Sequence, residues 1–231
     1  MPVCLVTAAN RGIGLELARA ALSTGWTAYG SVRSENLATD TANLLEAEFP
    51  EGDFRPLVFD VTDHDAVRAA AAPLPGPLDL LINNAGIIGP KRQTPLDMDF
   101  DGFAETLSVN TLAPLAVSQA FLAPLKQSAN GRILTVSSQM SWMGYRKPDT
   151  IAYRASKAAI NKVMQGLATE LEPQNIPVAL VDPGWVRTDM GGPQADNSPV
   201  DVAAGILKIG ERLTLADTGK FFKWSGEERP F

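Results

Sequence analysis

Short apolar runs alternate with longer amphipathic stretches from one end of the chain to the other. The runs have the length of strands, and most lack regular polar alternation, which indicates burial on both faces of a parallel sheet. Strands are predicted at Val3–Thr7, Thr27–Val32, Phe54–Phe59, Leu78–Ile82, Arg132–Val136, Val178–Val181 and Phe221–Trp224. Helices are predicted at Ile13–Ser23, Ala38–Phe49, Ala66–Ala72, Phe103–Lys126, Ala152–Leu171 and Pro199–Arg212. This repetition predicts one doubly wound α/β domain over residues 1–231, with a mostly parallel sheet of about seven strands.

Several polar residues and prolines mark where these helices begin and end. Asp63 and Ser198 stand at positions typical of N-caps, and Pro199 follows at a first helical position. Pro114 predicts a break in the long fourth helix, and Pro124 predicts its end. No linker or low-complexity segment divides the chain, which again favours a single domain.

The composition argues against several kinds of partner. The chain carries 20 Lys and Arg residues against 26 Asp and Glu residues, a net charge of −6, which argues against nucleic acid. No apolar run reaches the roughly 18 residues that a membrane-spanning helix needs. The N-terminus also lacks the basic start of a signal peptide. We therefore expect a cytoplasmic protein without membrane association.

The counts of cysteine and histidine exclude an internal disulfide and the common zinc sites. Cys4 is the only cysteine, so no internal disulfide can form. His64 is the only histidine, so neither a Cys/His zinc site nor a three-histidine site can be assembled, and no metal site is predicted. Because His64 lies between an apolar run and an alanine-rich stretch, we expect a solvated residue of a first helical turn.

A glycine-rich turn follows the first predicted strand and opens the first helix. Such a turn lets the backbone approach a pyrophosphate, and the helix N-terminus offers free N–H groups and the positive end of its dipole. The alternative is an ordinary tight turn, but its place at the head of an alternating α/β chain favours a Rossmann-type dinucleotide site. The residues predicted to bind the cofactor there are Thr7, Asn10, Arg11, Gly12, Ile13 and Gly14.

The end of the second predicted strand decides which dinucleotide fits. An acidic residue there holds the ribose 2′-hydroxyl of NAD, whereas a cation accommodates the 2′-phosphate of NADP. Arg33 stands at this position and Arg11 lies in the glycine turn, so NADP (NADPH) is preferred. NAD stays possible, because a shift in register would place Glu35 on the ribose. The plain alternative is that both arginines are solvated surface residues.

Tyr153 and Lys157 lie four residues apart in a predicted helix and therefore share one helix face. A tyrosine with its ordinary pKa of about 10 is a poor acid–base catalyst at neutral pH, whereas a neighbouring ammonium lowers that pKa. The pair alone is not specific, so its meaning depends on the motifs around it.

Those motifs resemble the short-chain dehydrogenase/reductase family, and the resemblance covers essentially the whole chain. They occur in the family's order, namely Thr7–Gly14, Asn83-Asn84-Ala85-Gly86, Asn110, Ser138, Tyr153-x-x-x-Lys157 and Pro183-Gly184. The second half is most similar to the branch that contains the carbonyl reductase sniffer and the C-factor proteins. The matching segments are Ala152–Lys157, Pro183–Pro193 and Thr218–Phe221.

The resemblance implies a catalytic tetrad. Tyr153 would be the general acid that protonates the nascent alkoxide, and Lys157 would lower its pKa and bind the nicotinamide ribose. Ser138, preferred to Ser137 by analogy with the family pattern, would hold the carbonyl oxygen. Asn110 would anchor a water molecule that extends the proton path. The implied activity is NADPH-dependent reduction of aldehydes or ketones to alcohols. The alternative is an NADP-binding signalling protein of the C-factor type, with weak or no catalysis.

Further cofactor contacts are implied in the same way. Asp60 and Val61 would meet the adenine, and residues after the fourth strand would lie near the ribose and pyrophosphate. Alternatively, Asn83 and Asn84 only tie strands together. Beyond the glycine turn, the implied set is Arg33, Asp60, Val61, Asn83, Ala85, Gly86, Tyr153, Lys157, Pro183, Gly184, Val186 and Thr188.

The glycine turn and the stretch before Tyr153 depart from the family pattern. Ala8 replaces the usual glycine after Thr7, and an alanine there would be strained if its φ were positive. The second departure is a cluster that either walls a substrate pocket or packs as core, and it consists of Met140, Trp142, Met143 and Tyr145.

The sequence also carries expectations about the loop that covers the substrate and about the association of subunits. The loop at about 188–198 is short and rich in glycine and proline, which predicts an open cleft and varied small carbonyl substrates. The family implies a homodimer or homotetramer that pairs through helices corresponding to Leu112–Lys126 and Ala152–Leu171.

Overall fold

A seven-stranded parallel sheet forms the centre of the protein, whose computed structural model describes residues 1–231. The strands of the chain are β1 (Val3–Val6), β2 (Thr27–Val32), β3 (Asp53–Val58), β4 (Leu80–Asn83), β5 (Gln93–Thr94), β6 (Asp97–Met98), β7 (Arg132–Val136), β8 (Val178–Asp182) and β9 (Phe221–Lys223). The sheet order is β3-β2-β1-β4-β7-β8-β9, and every pair in it is parallel. The predicted single-domain Rossmann fold is confirmed.

Helices cover both faces of this sheet. They are α1 (Gly12–Ser23), α2 (Glu35–Glu48), α3 (His64–Ala71), α4 (Phe100–Leu107), α5 (Ala113–Ala120), α6 (Leu122–Gln127), α7 (Ile151–Leu171) and α8 (Pro199–Arg212). Neighbouring residues of a strand point to opposite faces, so Cys4 joins the core under α1 and α8, while Leu5 joins the core under α5 and α7. Burial on both faces explains why the strands read as continuous apolar runs.

Short polar side chains cap the start of three helices, namely α2, α3 and, through Asp99, α4. Asp63 caps α3, because its Oδ1 accepts hydrogen bonds from the N–H groups of Asp65 and Ala66 at 3.1 and 3.0 Å. Ser34 caps α2 through the N–H of Leu37, so this helix begins at Glu35, three residues before the predicted start. The helix α8 begins at Pro199 as predicted, although the Ser198 hydroxyl makes no capping hydrogen bond.

The long fourth helix, predicted over Phe103–Lys126 with a break at Pro114, begins at Phe100 and consists of more segments than predicted. It is divided into α4, a π-helical turn at Ser108–Leu112, α5 and α6. Pro114 lies in the first turn of α5, where the predicted break occurs. Pro124 does not end a helix, because α6 begins only two residues earlier and a first-turn proline loses no intrahelical hydrogen bond.

The hairpin of β5 and β6 was not predicted. Its strands have two residues each and lie in the connection between β4 and α4. His64 is exposed at the start of α3, as expected. None of the helices is both long and apolar enough to cross a membrane. Because the seven strands are parallel, the loops that follow them gather at one edge of the sheet, where a doubly wound fold binds its ligands.

Candidate active site

In the glycine turn between β1 and α1, the backbone of Gly14 lies close to the backbone of Ala8. Gly12 has a φ of +54°, and a Cβ on Gly14 would lie 2.1 Å from the carbonyl oxygen of Ala8, so both positions need glycine. No side chain caps the start of α1, which leaves first-turn N–H groups available to an anion. Ala8 has a φ of +56°, so the strain considered for this alanine is present.

Two adjoining cavities lie at the carboxyl edge of the sheet. The larger, of about 340 Å³, is lined by predicted cofactor residues after β1, β2, β3 and β4, namely Asn10, Arg33, Asp60, Val61 and Ala85. The smaller, of about 150 Å³, is lined by a second group of them, namely Gly12, Ile13, Tyr153, Lys157, Pro183 and Thr188. Ala8, Arg11 and Gly86 line both cavities, which therefore meet in one bipartite cleft.

The residues of this cleft fit a nicotinamide dinucleotide. A Cβ on Gly86 would stand 3.3 Å from Asn110 Oδ1 and 3.6 Å from Lys157 Nζ, so the absent side chain keeps the passage between the cavities open. Arg33 is exposed in the wall of the larger cavity, where its charge is accessible to a phosphate. Burial opposes ionisation of Asp60, but hydrogen bonds from Thr62 and the charge of Arg33 hold the pKa of Asp60 below its usual value.

Arg11 has a partner within the protein. Its guanidinium forms a salt bridge of 3.0 Å with Asp189, across from the glycine turn on the loop after Thr188. Both side chains are exposed, so the pair is weak and can open for a ligand. Asp189 was not predicted as a site residue, and its meeting with Arg11 depends on two loops far apart in the sequence.

Some predicted cofactor residues lie outside both cavities. The Asn83 side chain points into the core, where it donates to the hydroxyls of Ser118 and Thr135, so it ties strand to helix. Asn84 lines the smaller cavity instead. The Thr7 hydroxyl accepts the N–H groups of Asn84 and Ala85 at 2.9 Å and so shapes the cleft from behind. The other predicted residues outside the cavity walls are Gly14, Gly184 and Val186.

Tyr153 and Lys157 stand on adjacent turns of α7, as their spacing predicts. Both are buried, and Lys157 Nζ lies 5.7 Å from the centroid of the Tyr153 ring. The ammonium donates a hydrogen bond of 2.9 Å to the carbonyl oxygen of Val136, at the end of β7. This contact fixes Lys157 at the carboxyl edge, beside the smaller cavity.

The pKa of Tyr153 departs from the expected direction. Burial raises the pKa of Tyr153 to about 12, hydrogen bonding with Ser138 pulls it down, and the negative charge of Asp182 raises it further. Burial also lowers the pKa of Lys157 to about 8. The expected lowering of the tyrosine pKa by the lysine is therefore not found, because desolvation by burial dominates the pKa of Tyr153.

The two serines after β7 make different contacts, and Ser137, not Ser138, lines the smaller cavity. Ser137 Oγ donates a hydrogen bond of 2.5 Å to Asn161 Oδ1 within the core. Ser138 Oγ accepts the N–H of Met140 at 3.1 Å, which leaves its own O–H to donate towards the Tyr153 oxygen or a ligand beside it. Ser138, and not Ser137, is the one coupled to the Tyr153 phenol.

Asn110 lies in the π-helical turn and does not line either cavity. Its Oδ1 accepts the N–H of Ile87 at 2.9 Å, and its Nδ2 donates to the Ile87 carbonyl and to Ser156 Oγ. The side chain thus joins the loop after β4 to α7, close to Lys157. This turn positions Asn110, since an extra residue per turn changes the direction of the side chain.

The apolar cluster before Tyr153 does not pack as core. Trp142, Met143 and Tyr145 are each exposed, and the Trp142 and Tyr145 rings meet edge to face at 5.1 Å. Trp185 and Met190 are also exposed on the loop after β8, and Met190 reaches the wall of the smaller cavity. These loops follow the strands that deliver Ser138 and Pro183, so apolar side chains stand beside the site.

The whole chain is similar in sequence and structure to known proteins of one family. A sequence model of the short chain dehydrogenase family matches residues 2–199. C-signal of Myxococcus xanthus is 39% identical over 157 residues, which are 68% of this chain and 94% of that protein. The NADPH-bound carbonyl reductase from chicken fatty liver superimposes with a TM-score of 0.89 and 30% identity, and carbonyl reductase Sniffer of D. melanogaster with a TM-score of 0.92 and 27% identity. Both alignments cover 100% of each chain. The chain belongs to the short-chain dehydrogenase/reductase family, in the branch of Sniffer and C-signal, and is an oxidoreductase of that family.

Proposed function

We propose that this protein reduces aldehydes or ketones to alcohols with NADPH. The observation that carries the proposal is the meeting of the buried Tyr153 phenol with the Ser138 hydroxyl and the Lys157 ammonium beside a cleft shaped for a dinucleotide. A bound nicotinamide supplies the hydride, and the protein supplies position and a proton.

The protein's own residues account for the proton. The O–H of Ser138, which faces the Tyr153 oxygen, donates to the carbonyl oxygen of the substrate and holds it next to the phenol. As negative charge grows on that oxygen, Tyr153 gives up its proton to it, because an alkoxide is a far stronger base than a phenolate. The Lys157 ammonium, held near the ring by the Val136 carbonyl, stabilises the phenolate that forms.

The raised pKa of Tyr153 favours the reductive direction. With a pKa of about 12, the phenol is protonated throughout the neutral range and is ready to act as a general acid. Alcohol oxidation needs the phenolate as a base, which is scarce at neutral pH. We expect oxidation to become faster relative to reduction as the pH rises.

The cofactor preference rests on Arg33. This guanidinium is exposed in the wall of the larger cavity, where it can pair with the 2′-phosphate of NADPH. We expect Arg33→Ala to weaken NADPH binding about tenfold or more and to leave NADH binding nearly unchanged, since only NADPH has the phosphate. Titration of cofactor fluorescence measures both. The matched control is Lys126→Ala, an exposed cation of α6 near the opposite edge of the sheet. Equal losses for the two cofactors would contradict the preference.

The substrate range follows from the loop at 188–198. It has no helix of its own, and its only sheet-like contact is the bridge between Val186 and Asn197. A cover this short leaves few specificity contacts, so we propose varied small carbonyl substrates. A cytoplasmic location and a homodimeric or homotetrameric assembly are part of the same proposal.

The decisive experiment compares the wild type with Tyr153→Phe. We expect NADPH oxidation with a panel of aldehydes and ketones to fall by about 10²-fold or more, a far larger change than any in NADPH affinity, because the general acid is lost while the rest of the cofactor cleft is kept. Tyr29→Phe is the control, since that buried tyrosine lies in the middle of β2 and its hydroxyl accepts from Arg55. Equal rates of NADPH oxidation for the wild type and Tyr153→Phe would contradict the proposed role of Tyr153 as the general acid.

The similarity to C-signal keeps one alternative in view, a signalling protein that binds the cofactor with weak or no catalysis. The same assay separates the two functions. A wild type that binds NADPH tightly but shows no turnover above the Tyr153→Phe background would favour the signalling role.

A further inference from the structure

A buried ion pair joins the end of β8 to the C-terminal segment. Asp182 is the last residue of β8 and is 4% exposed, and its Oδ2 pairs with Nη1 of Arg229. The Arg229 guanidinium also stacks on the Phe221 ring at 5.2 Å, and its backbone N–H donates to the Phe221 carbonyl. The sequence motifs assign no role to either residue.

The other oxygen of Asp182 holds two loops of the active site together. Its Oδ1 accepts the N–H of Gln139 at 2.9 Å and the N–H of Gly184 at 3.0 Å. Gln139 follows Ser138 directly, and Gly184 follows Pro183, which lines the smaller cavity. One oxygen atom therefore fixes the spacing between the loop that carries the serine and the loop on the far side of the cleft.

Asp182 lines neither cavity, so it acts through these loops and not by contact with a ligand. A carboxylate suits the task because one oxygen can accept two N–H groups while the other pairs with a guanidinium. The arginine is needed because a carboxylate buried without a partner is strongly unfavourable. The C-terminal segment thus supplies the charge that permits a buried anion behind the active site.

We propose that Asp182, kept buried by Arg229, is a positioning residue that sets Ser138 and the Pro183–Gly184 turn at their working distance. The inference rests on the proposed function for its effect on turnover. Its structural part, the holding of the two loops, stands independently of that function.

The test uses two double variants that differ only in the accepting oxygen. Asp182→Asn with Arg229→Met removes both charges but keeps Oδ1, whereas Asp182→Ala with Arg229→Met removes both charges and the oxygen. Neither leaves an unpaired buried charge, so both are expected to fold. In the alanine pair we expect the Gln139 and Gly184 amides to exchange with solvent about tenfold faster or more, since their acceptor is gone. The asparagine pair should exchange nearly as slowly as the wild type.

Turnover gives the second readout. For the alanine pair we expect kcat to fall about tenfold while KM for the carbonyl changes little, because Ser138 acts on the developing oxyanion and not on ground-state binding. The asparagine pair should keep most of the wild-type kcat. Unchanged amide exchange in the folded alanine pair, or an asparagine pair as impaired as the alanine pair, would overturn the inference.

The outcomes also separate this inference from the proposed function. A wild type without carbonyl turnover defeats the proposed function, yet amide exchange still decides whether Asp182 holds the loops. The single variant Arg229→Met tests the arginine. It should melt at a lower temperature than the asparagine pair, which lacks the unpaired carboxylate, and a higher melting temperature for the single variant would contradict the role of Arg229.

Discussion

Single residues decide how the cleft is shaped, and Ala8 is the clearest case. It lines both cavities with a φ of +56°, a conformation that destabilises an L-residue by about 1 kcal/mol or more. Its N–H donates to Ser31 Oγ at 3.1 Å, so the surrounding structure holds it in this conformation. The family pattern has glycine at this place, which agrees with the backbone that the turn requires.

We therefore expect Ala8→Gly to stabilise the protein. Relief of the left-handed conformation exceeds the added chain entropy of glycine, so the free energy of unfolding should rise by up to about 1 kcal/mol and the melting temperature by about 2–4 °C. The neighbouring Ala9→Gly is the matched control, because Ala9 is fully buried and does not have a positive φ. That variant should melt below the wild type. A lower melting temperature for Ala8→Gly would mean that the turn is not strained.

At this scale the sequence identifies residue types well but not the direction of each side chain. Asn83 and Asn84 are adjacent and chemically identical, so only the register of β4 decides that the second lines the cavity. The direction of the Tyr153 pKa was also missed, because its burial depends on packing that no local motif reports. Asp182 carried no signal either, since its partners Gln139 and Arg229 are more than 40 residues away.

At the scale of elements, the pattern of apolar residues predicted those strands and helices whose positions depend on which residues are buried. All seven sheet strands and most helices follow from it, with ends displaced by a few residues. The π-helical turn at Ser108–Leu112 was missed because five residues are too few to show a period different from that of the flanking α-helices. The β5–β6 hairpin was missed because two-residue strands are too short to show a period.

That hairpin matters because it supplies a cap for α7. Thr150, the residue before α7, is left-handed with a φ of 50° and makes no capping hydrogen bond. Instead Gln93 Oε1, from β5, accepts the N–H of Tyr153 at 3.2 Å. Gln93 Nε2 donates to the carbonyls of Ile88 and Pro90, so the side chain links the loop after β4 to the first turn of the helix.

We expect Gln93→Met to lower the free energy of unfolding by about 2–3 kcal/mol, because buried backbone groups lose their partners. Turnover should fall as well, since the first turn of α7 carries Tyr153. Thr94→Ala, at the exposed neighbouring position, is the control and should change stability by less than about 1 kcal/mol. Denaturant titration and the carbonyl assay measure the two effects. A Gln93→Met variant as stable as Thr94→Ala would show that the cap contributes nothing.

At the scale of the whole molecule, the stability above neutral pH depends on two buried groups with opposite effects. Burial lowers the pKa of Lys157 from 10.5 to about 8 and raises that of Cys4 from 9.0 to about 12. Between pH 8 and 10.5 the unfolded chain keeps the lysine proton that the folded protein has lost, so the free energy of unfolding rises with pH. Above pH 9 the unfolded chain loses the thiol proton that the folded protein keeps, so the Cys4 contribution falls.

The net prediction is a gain of about 1 kcal/mol between pH 8 and 9, a plateau, and a decline above pH 10, where Tyr153 adds to the loss. In Lys157→Met the initial gain should vanish, and in Cys4→Ala it should continue to about pH 10. Urea unfolding at half-unit intervals of pH measures these slopes. Parallel profiles for the wild type and Lys157→Met would contradict the lowered lysine pKa.

The Lys157 ammonium should support activity at neutral pH and at the same time lower the stability of the folded protein. Below its pKa of about 8, Lys157 is charged in the folded core, and this burial opposes folding. Methionine has a similar length without the charge, so Lys157→Met should be more stable than the wild type at pH 7 by about 2 kcal/mol and nearly inactive. Lys162→Met, at an exposed lysine five residues further along α7, is the control and should change neither property much. A Lys157→Met variant that is less stable than the wild type at pH 7 would mean that the hydrogen bond to Val136 outweighs the desolvation of the ammonium. In that case Lys157 would stabilise the fold of the site in addition to its part in catalysis.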